Sequence, residues 1–320
     1  MSRLPLTIGE VAETFTHVTP ETFDAYARVV KAHQAAHAPF YAPFAEDGLP
    51  LPVEAFKHPG ITTFGESSAE RVFMSSGTGS GVRSRHPVKH LSVYERAVLA
   101  GFDRAYGDDR WVLVAYLPQY APESSLVYMT HLLMQRRAAE GSGWMLEDAD
   151  VLYRAIEQAE AESRRLMLLG AAFGLVDFVE RETVTLPASS IVIETGGMKT
   201  HRREMSREEL RGTLSAGFGV PAQHIRSEYG MCELMSQAYS DASGLFQPPP
   251  WLQVRVVDPM DPTQDLPDGE AGVLRLFDLA NCYTVSDLVT QDVAVKHGSG
   301  FEVRGRLSKA ELRGCNHLVL

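Results

Sequence analysis

Apolar and polar positions along the chain follow two different periods. Apolar residues that recur every three or four positions predict helices, and short apolar runs bounded by turn residues predict strands. Helices are expected at 20–38, 90–106, 124–140, 147–173 and 205–216. Strands are expected at 71–74, 110–118, 175–180, 189–197 and within 224–233, and an ordered loop at 40–64.

The order of these elements predicts the fold class. Strands and helices alternate over the first three quarters of the chain, which is typical of an α/β protein with a mostly parallel sheet and flanking helices. After a rigid stretch at 244–251, β-rich segments follow one another directly and predict an antiparallel lobe. We therefore expect one large domain over 1–320, with an α/β portion at 1–245 and a β-rich lobe at 246–320.

Composition narrows the class of protein. The chain has 320 residues and a formal net charge of −11, and nucleic-acid binding depends on clustered cations, so a nucleic-acid partner is not expected. No apolar stretch approaches the roughly 20 residues of a membrane helix, and acids interrupt the start where a secretory signal needs an apolar core. Cys232, Cys282 and Cys315 have no metal-ligand spacing. We expect a reduced, cytoplasmic protein without a membrane partner.

The stretch FMSSGTGSG at 73–81 is the first candidate binding motif. Small residues directly after a strand leave backbone N–H groups available to surround anionic oxygens, and hydroxyl groups add donors. Ser75, Ser76, Gly77 and Thr78 are therefore candidates for an anion-binding loop, and a flexible turn is the alternative. The basic run at 83–90 is a further candidate for a phosphorylated or carboxylate ligand.

Two more motifs carry candidate polar chemistry. In SEYGMCE at 227–233, Glu233 follows a strand that ends at Tyr229 and Gly230, and a carboxylate there could hold Mg²⁺ against a phosphate. A helix-capping glutamate is the alternative. In VTQDVAVKHGSGFEVRGR at 289–306, a hairpin would bring Asp292 and Arg306 together to bind a ribose diol, or they form an ordinary surface ion pair.

In this order, the three motifs resemble the acyl-activating (ANL, adenylate-forming) superfamily, which has a Ser/Thr/Gly loop, a YGxTE motif, a TGD and a GR. LPQYAPES at 117–124 and TGGMK at 195–199 resemble its substrate-side and adenine-binding motifs. ETGGMKTHRREMSREEL, SEYGMCELMSQAY, DLAN and the RGC ending resemble the branch of bacterial acyl-protein synthetases. The resemblance implies the large N-terminal domain of the adenylate-forming fold, here without the small C-terminal domain of typical members.

The resemblance also implies a role for each candidate residue. The branch carries its acyl group on a cysteine near the C-terminus, which matches Cys315; His317 is the nearest possible base, and Arg306 could stabilise the thiolate. Binding of the nucleotide or of coenzyme A is assigned to Ser75, Ser76, Gly77, Thr78, Gly196, Gly197, Tyr229, Asp292 and Arg306. Tyr120, Tyr229 and Gly230 are assigned to the acyl group, and Glu233 to Mg²⁺ if ATP is used.

The sequence departs from the family pattern on the nucleotide side. Gly79 and Ser80 stand where the family loop has Thr and Gly, and Cys232 replaces the usual Thr of YGxTE with a weaker donor. These departures favour an acyltransferase that takes an acyl or aryl group from acyl-CoA or acyl-adenylate onto Cys315. It would pass that group to the phosphopantetheine thiol of an acyl carrier protein. An ATP-dependent acyl-protein synthetase with a reductase partner is one alternative, and a non-catalytic scaffold for a reductase or carrier protein is another.

Overall fold

The computed structural model describes residues 4–76, 82–119, 121–196 and 205–307, which form two compact units. The first unit draws on Met1–Gly101, Met231–Gln237 and Gln247–Leu320. The second unit draws on Phe102–Gly230 and Ala238–Phe246. The chain passes from the second unit to the first directly after Gly230, so the SEYGMCE motif contributes residues to both.

Helices in the described ranges begin and end at local sequence signals. They are α1 (Ile8–Thr14), α2 (Phe23–His37), α3 (Ala42–Glu46), α4 (Leu91–Tyr106), α5 (Ser125–Arg137), α6 (Asp150–Ala161), α7 (Ala172–Arg181) and α8 (Arg207–Phe218). The Ser206 hydroxyl accepts from the Glu209 N–H and caps the first turn of α8. The helix ends at Gly219, whose φ of 67° lies in the left-handed region that glycine tolerates. No helix in the described ranges is long and apolar enough to cross a membrane.

The strands are short in the first part of the chain and longer in the last. They are β1 (Leu51–Pro52), β2 (Arg71–Met74), β3 (Arg85–Val88), β4 (Val112–Tyr116), β5 (Gly143–Trp144), β6 (Leu166–Ala171), β7 (Ile191–Thr195), β8 (Ile225–Tyr229), β9 (Ala238–Ser240), β10 (Phe246–Gln247), β11 (Leu252–Val257), β12 (Ala271–Asp278), β13 (Asp287–His297) and β14 (Gly300–Arg306).

The second unit is built on a mostly parallel sheet. Its strands lie in the order β5-β4-β6-β7-β8-β9, and all neighbours are parallel except β8 and β9. Leu168 and Val192 of the central strands are fully buried and belong to one apolar core with Leu175 of α7 and Leu214 of α8. Such continuous apolar strands are typical of a parallel sheet covered by helices.

The first unit contains the antiparallel strands β11 to β14, each paired with the next. β1 adds to β13 in parallel, and β2 and β3 form a separate antiparallel pair. A buried ion pair joins two of the strands, because Arg275 donates to both carboxylate oxygens of Asp287 at 2.9 and 2.8 Å. The predicted change from parallel to antiparallel pairing is confirmed.

Two of the expected elements are wrong. The helix expected at 147–173 ends at Ala161 as α6, and the apolar run that follows is strand β6 between β4 and β7. The strand expected at 175–180 is part of α7, which buries Leu175, Val176 and Phe178. Periodicity alone does not separate a buried strand from a buried helix segment, and here the pairing partners decide.

Candidate active site

Paired hydrogen bonds in the first unit join Ser75, after β2, to Ser84, before β3. Ser75 follows β2, and its N–H donates to the Ser84 carbonyl at 3.0 Å. In return the Ser84 N–H donates to the Ser75 hydroxyl at 2.9 Å, and Arg83 donates through Nε to the Ser75 carbonyl. Ser76 is exposed, and Gly77 and Thr78 lie outside the described residues. Ser75 is thus fixed at one end of the loop.

Glu233 lies in the loop after β8 and is 9% exposed. Burial raises the pKa of its carboxyl, although a hydrogen bond from the Ser84 hydroxyl and the positive charge of Arg306 oppose that rise. A single buried carboxylate fits Mg²⁺, which prefers one or two carboxylates together with substrate oxygens. Ser84, which binds Ser75, also lies 3.9 Å from Sγ of Cys232 through its carbonyl, so two motifs that are far apart in the sequence meet here.

Asp292 and Arg306 are paired across the last hairpin, as the spacing predicts. They face each other in the register of β13 and β14, and Arg306 Nε donates to Asp292 Oδ1 at 2.6 Å. The Asp292 side chain is 7% exposed, whereas that of Arg306 is 51% exposed. The pair therefore has one anchored carboxylate and one guanidinium that reaches solvent, where a ligand could contact it.

The adenine-side and acyl-side candidates belong to the second unit. Tyr229 ends β8, is 9% exposed, and packs edge-on against the Phe246 ring with a centroid distance of 5.7 Å. Gly196 follows β7 with a φ of 85°, and a Cβ built there would have no neighbour within 4 Å. Gly230 is exposed. Tyr120 and Gly197 lie outside the described residues.

A buried acid next to Tyr229 escaped the sequence reasoning. Glu228 pairs with Thr195 in the register of β8 and β7, and the Thr195 hydroxyl donates to its carboxyl. Burial raises the pKa of Glu228 to about 7, and the negative charge of Glu194 adds to the effect. Burial also raises the pKa of Glu194. A charged residue inside a strand is the only signal that could have marked Glu228.

The two described cysteines are poor nucleophiles. Burial raises the pKa of the Cys232 thiol far above its ordinary value and that of Cys282 to about 12. The reactive form of cysteine is the thiolate, so neither group is suited to acyl transfer at neutral pH. Cys315 and His317 lie outside the described residues, and their assignment stays a prediction.

The basic run at 83–90 does not converge on one point. Arg83 is directed at the carbonyl groups of Ser75 and Met74, and Arg85 lies 3.5 Å from Glu66. Lys89 lies over the rings of Phe64 and Tyr283. His86 is fully buried, and burial lowers its pKa to about 4. Neighbouring side chains of β3 also lie on opposite faces of the strand, which separates Arg85 from His86.

The structure adds residues of DLAN to the surroundings of Glu233. Asn281 donates through Nδ2 to the Glu233 carbonyl at 2.8 Å, and Asp278 accepts from the Met235 and Ser236 N–H groups at 3.1 and 2.9 Å. In the sequence, DLAN resembles the family motif but indicates no role for its residues. The chemical signal that the sequence offered was the pair of polar residues Asp278 and Asn281 within this motif.

Comparison with solved structures shows which fold the chain has. The fold is similar to 2-hydroxyisobutyryl-CoA ligase in an open conformation in complex with 2-HIB-AMP and CoA, with a TM-score of 0.65, 14% identity, and coverage of 93% of this chain and 78% of that chain. It is also similar to ATP-bound MatB from Rhodopseudomonas palustris, with a TM-score of 0.54, 16% identity, and coverage of 76% of this chain and 49% of that chain. This confirms the predicted α/β fold class.

The family follows from the sequence match. The model of the family "Acyl-protein synthetase, LuxE" matches residues 152–320, more than half of the chain, and the chain belongs to that family. No curated protein matches the chain. The resemblance to the acyl-protein synthetase branch of the acyl-activating superfamily is thereby confirmed.

Proposed function

We propose that this protein activates a carboxylic acid with ATP as an acyl-adenylate. The observation that carries the proposal is the position of Ser84, whose N–H donates to the Ser75 hydroxyl at 2.9 Å and whose carbonyl lies 3.9 Å from Sγ of Cys232. Cys232 directly precedes Glu233, whose buried carboxyl is also subject to the positive charge of Arg306. Residues from three separate motifs are thus gathered in one unit. This arrangement favours the ATP-dependent alternative over a nucleotide site that has lost its function.

In the proposed reaction a carboxylate oxygen of the substrate attacks the α-phosphorus of ATP. The new O–P bond forms as the bond to the β-phosphate oxygen breaks, and pyrophosphate leaves. Mg²⁺, when bound, would neutralise charge on the phosphate oxygens. Glu233 would hold that ion, the loop that begins at Ser75 would donate N–H groups to the phosphates, and Asp292 with Arg306 would bind the ribose.

We further propose that the acyl group is then transferred to Cys315. The thiolate would attack the acyl carbonyl, AMP would leave with the bonding electrons, and His317 would take the thiol proton. The resulting thioester retains enough activation for transfer to a second thiol. That thiol would belong to an acyl carrier protein or to a reductase partner.

A second candidate is an acyltransferase that takes its acyl group from a coenzyme A thioester. Cys232 favours it, because this residue stands where the family has a hydroxyl donor and its Sγ lies 3.9 Å from the Ser84 carbonyl. A thiol is a weak donor, so the phosphate side would lose a contact. This reaction needs neither Glu233 nor Mg²⁺.

Carboxylate-dependent exchange of labelled pyrophosphate into ATP tests the activation step. We expect exchange in the wild type and in Cys315→Ala, and a loss of about 10²-fold or more in Glu233→Gln. Glu270→Gln is the matched control, because it removes the same charge from an exposed position in the same unit. Wild-type protein that shows no exchange with any aliphatic or aromatic acid would contradict the proposal.

Intact-protein mass spectrometry separates the two candidates. With acid and ATP we expect a mass gain of one acyl group that Cys315→Ala lacks. The same gain from acyl-CoA without ATP would instead establish the second candidate. A protein that gains no mass under either condition would agree with the non-catalytic scaffold.

A further inference from the structure

The loop that carries Glu233 is held by side chains rather than by a sheet or helix. In Met231–Gln237 the described backbone has one local hydrogen bond, from the Leu234 N–H to the Met231 carbonyl at 3.1 Å. The remaining contacts of this backbone come from distant residues. Buried backbone groups need partners, so these contacts determine where the loop lies.

Asn281 binds the backbone on both sides of Leu234. Its Nδ2 donates to the Glu233 carbonyl at 2.8 Å, and its Oδ1 accepts from the Met235 N–H at 2.9 Å. The residue is 1% exposed, and its Nδ2 also donates to the Val285 carbonyl at 3.0 Å. One amide group therefore sets the direction in which the Glu233 side chain leaves the backbone.

Asp278 fixes the next residues of the loop. Its Oδ2 accepts from the N–H groups of Met235 and Ser236, and its Oδ1 accepts from the Ser236 hydroxyl at 2.7 Å and from the Ala280 N–H at 2.9 Å. The side chain is completely buried. These four hydrogen bonds compensate for the loss of hydration of the buried carboxylate.

The loop has a third anchor before Glu233. His86 Nδ1 donates to the Cys232 carbonyl at 2.8 Å, and its Nε2 lies 3.1 Å from the Thr284 hydroxyl. The carbonyls of residues 232 and 233 and the N–H groups of residues 235 and 236 are thus all bound by side chains.

We propose that Asp278 and Asn281 are positioning residues that hold the Glu233 carboxylate where it can bind the magnesium ion of the adenylation step. This inference rests on the proposed function. A metal-binding carboxylate must be held within about 0.5 Å of its productive position, which requires a fixed backbone beneath it. Asn281 and Asp278 supply the fixed backbone from which the side chain extends.

Binding of Mn²⁺ in the presence of a non-hydrolysable ATP analogue tests this role. Electron paramagnetic resonance of free Mn²⁺ gives the dissociation constant without turnover. We expect Asn281→Ala to raise that constant by about 10-fold or more, as is usual for residues that support a metal ligand. Asn281→Asp, which keeps the volume and the contact to the Met235 N–H but not the donor to Glu233, should do the same.

Gln34→Met is the matched control. Gln34 is fully buried and donates to the carbonyl of the same Asn281 at 3.1 Å and to the Ser286 hydroxyl at 3.0 Å. It therefore supports the same turn without the Glu233 contact. We expect Gln34→Met to lower Tm as the Asn281 variants do and to leave Mn²⁺ binding within twofold of wild type.

The outcomes distinguish this inference from the proposed function. Wild-type affinity for Mn²⁺ in both Asn281 variants would overturn the positioning role alone. An equal loss of Mn²⁺ affinity in Gln34→Met would overturn it as well, because the loss would then come from general destabilisation of the fold. Wild-type protein that binds neither Mn²⁺ nor the ATP analogue would overturn the inference together with the proposed function.

Discussion

Arg306 and Asp292 lie opposite each other in the last hairpin, joined by an Nε–Oδ1 hydrogen bond of 2.6 Å. The aspartate side chain is buried, whereas that of the arginine is half exposed. Half-exposed ion pairs contribute about 0–1 kcal/mol to folding. The ion pair by itself therefore adds little to folding stability, and the role in ribose binding that we propose for it can be tested separately from stability.

We predict that Arg306→Ala raises KM for ATP in pyrophosphate exchange by about tenfold, equivalent to about 1.4 kcal/mol of binding free energy. Tm should change little. Arg304→Ala is the matched control, because Arg304 lies on the same strand, is 50% exposed and pairs with Glu302 instead. An unchanged KM for ATP in Arg306→Ala, or an equal rise in Arg304→Ala, would refute the ribose role.

Glu228 predicts a pH-dependent difference in stability. Its pKa is about 7 in the folded protein and 4.5 ordinarily, so between these values the folded state retains a proton that the unfolded state has lost. Its contribution to the free energy of unfolding is therefore largest below pH 4.5 and declines by about 3 kcal/mol as the pH rises to 7.

Urea unfolding of the wild type and Glu228→Gln at pH 5 and pH 8 measures this effect. The wild type should lose stability relative to the variant as the pH rises, because glutamine never carries the buried charge. Glu160→Gln, which changes an exposed residue of the same unit, should show a constant difference from wild type. A constant difference for Glu228→Gln as well would exclude the raised pKa.

The buried thiols predict the pattern of chemical labelling. In native Cys315→Ala, Cys232 and Cys282 should react with a disulfide reagent far more slowly than a free thiol, because both are buried and mostly protonated at pH 8. Two thiols should become reactive in urea. Rapid labelling of the native variant would show that one of these cysteines is accessible.

The Arg275–Asp287 pair predicts a large stability effect. Its two side chains are 6% and 4% exposed, so removing the arginine leaves a buried charge that Lys31, 3.7 Å from Asp287, compensates only partly. Arg275→Met should lower the free energy of unfolding by about 3–5 kcal/mol, and adding Asp287→Leu should restore part of it. Arg164→Met, which breaks an exposed pair with Glu162, should cost less than about 1 kcal/mol. A small effect for Arg275→Met would show that water reaches the Asp287 carboxylate in the variant and solvates its charge.

Local sequence patterns anticipated the pairing of Asp292 with Arg306. A turn between two strands fixes their register, so residues fourteen positions apart become neighbours for reasons contained in the segment itself. The parallel and antiparallel regions were predictable for the same reason, since the spacing of strands and helices determines which connections are possible.

Contacts over long separations were not predictable in this way. Asn281 and Glu233 are 48 residues apart, and the fully buried His86 lies 198 residues from its partner Thr284. No local rule specifies such pairs, because they depend on how β3, the loop after β8 and the turn after β12 pack together. The assignment of 166–171 to a strand depended on packing too, since an apolar run fits either element.

The sequence by itself determined the order of elements, the hairpin pair and the set of polar residues available for nucleotide chemistry, because each depends on short-range periodicity and turn geometry. Only the tertiary structure decided that Ser84 lies between Ser75 and Cys232, that Asp278 and Asn281 hold the Glu233 loop, and that Cys232 and Cys282 are shielded from solvent. Burial and distant hydrogen bonds exist only once the chain has packed, and they raise the pKa of Glu233 and Cys232 and hold the loop that carries both residues.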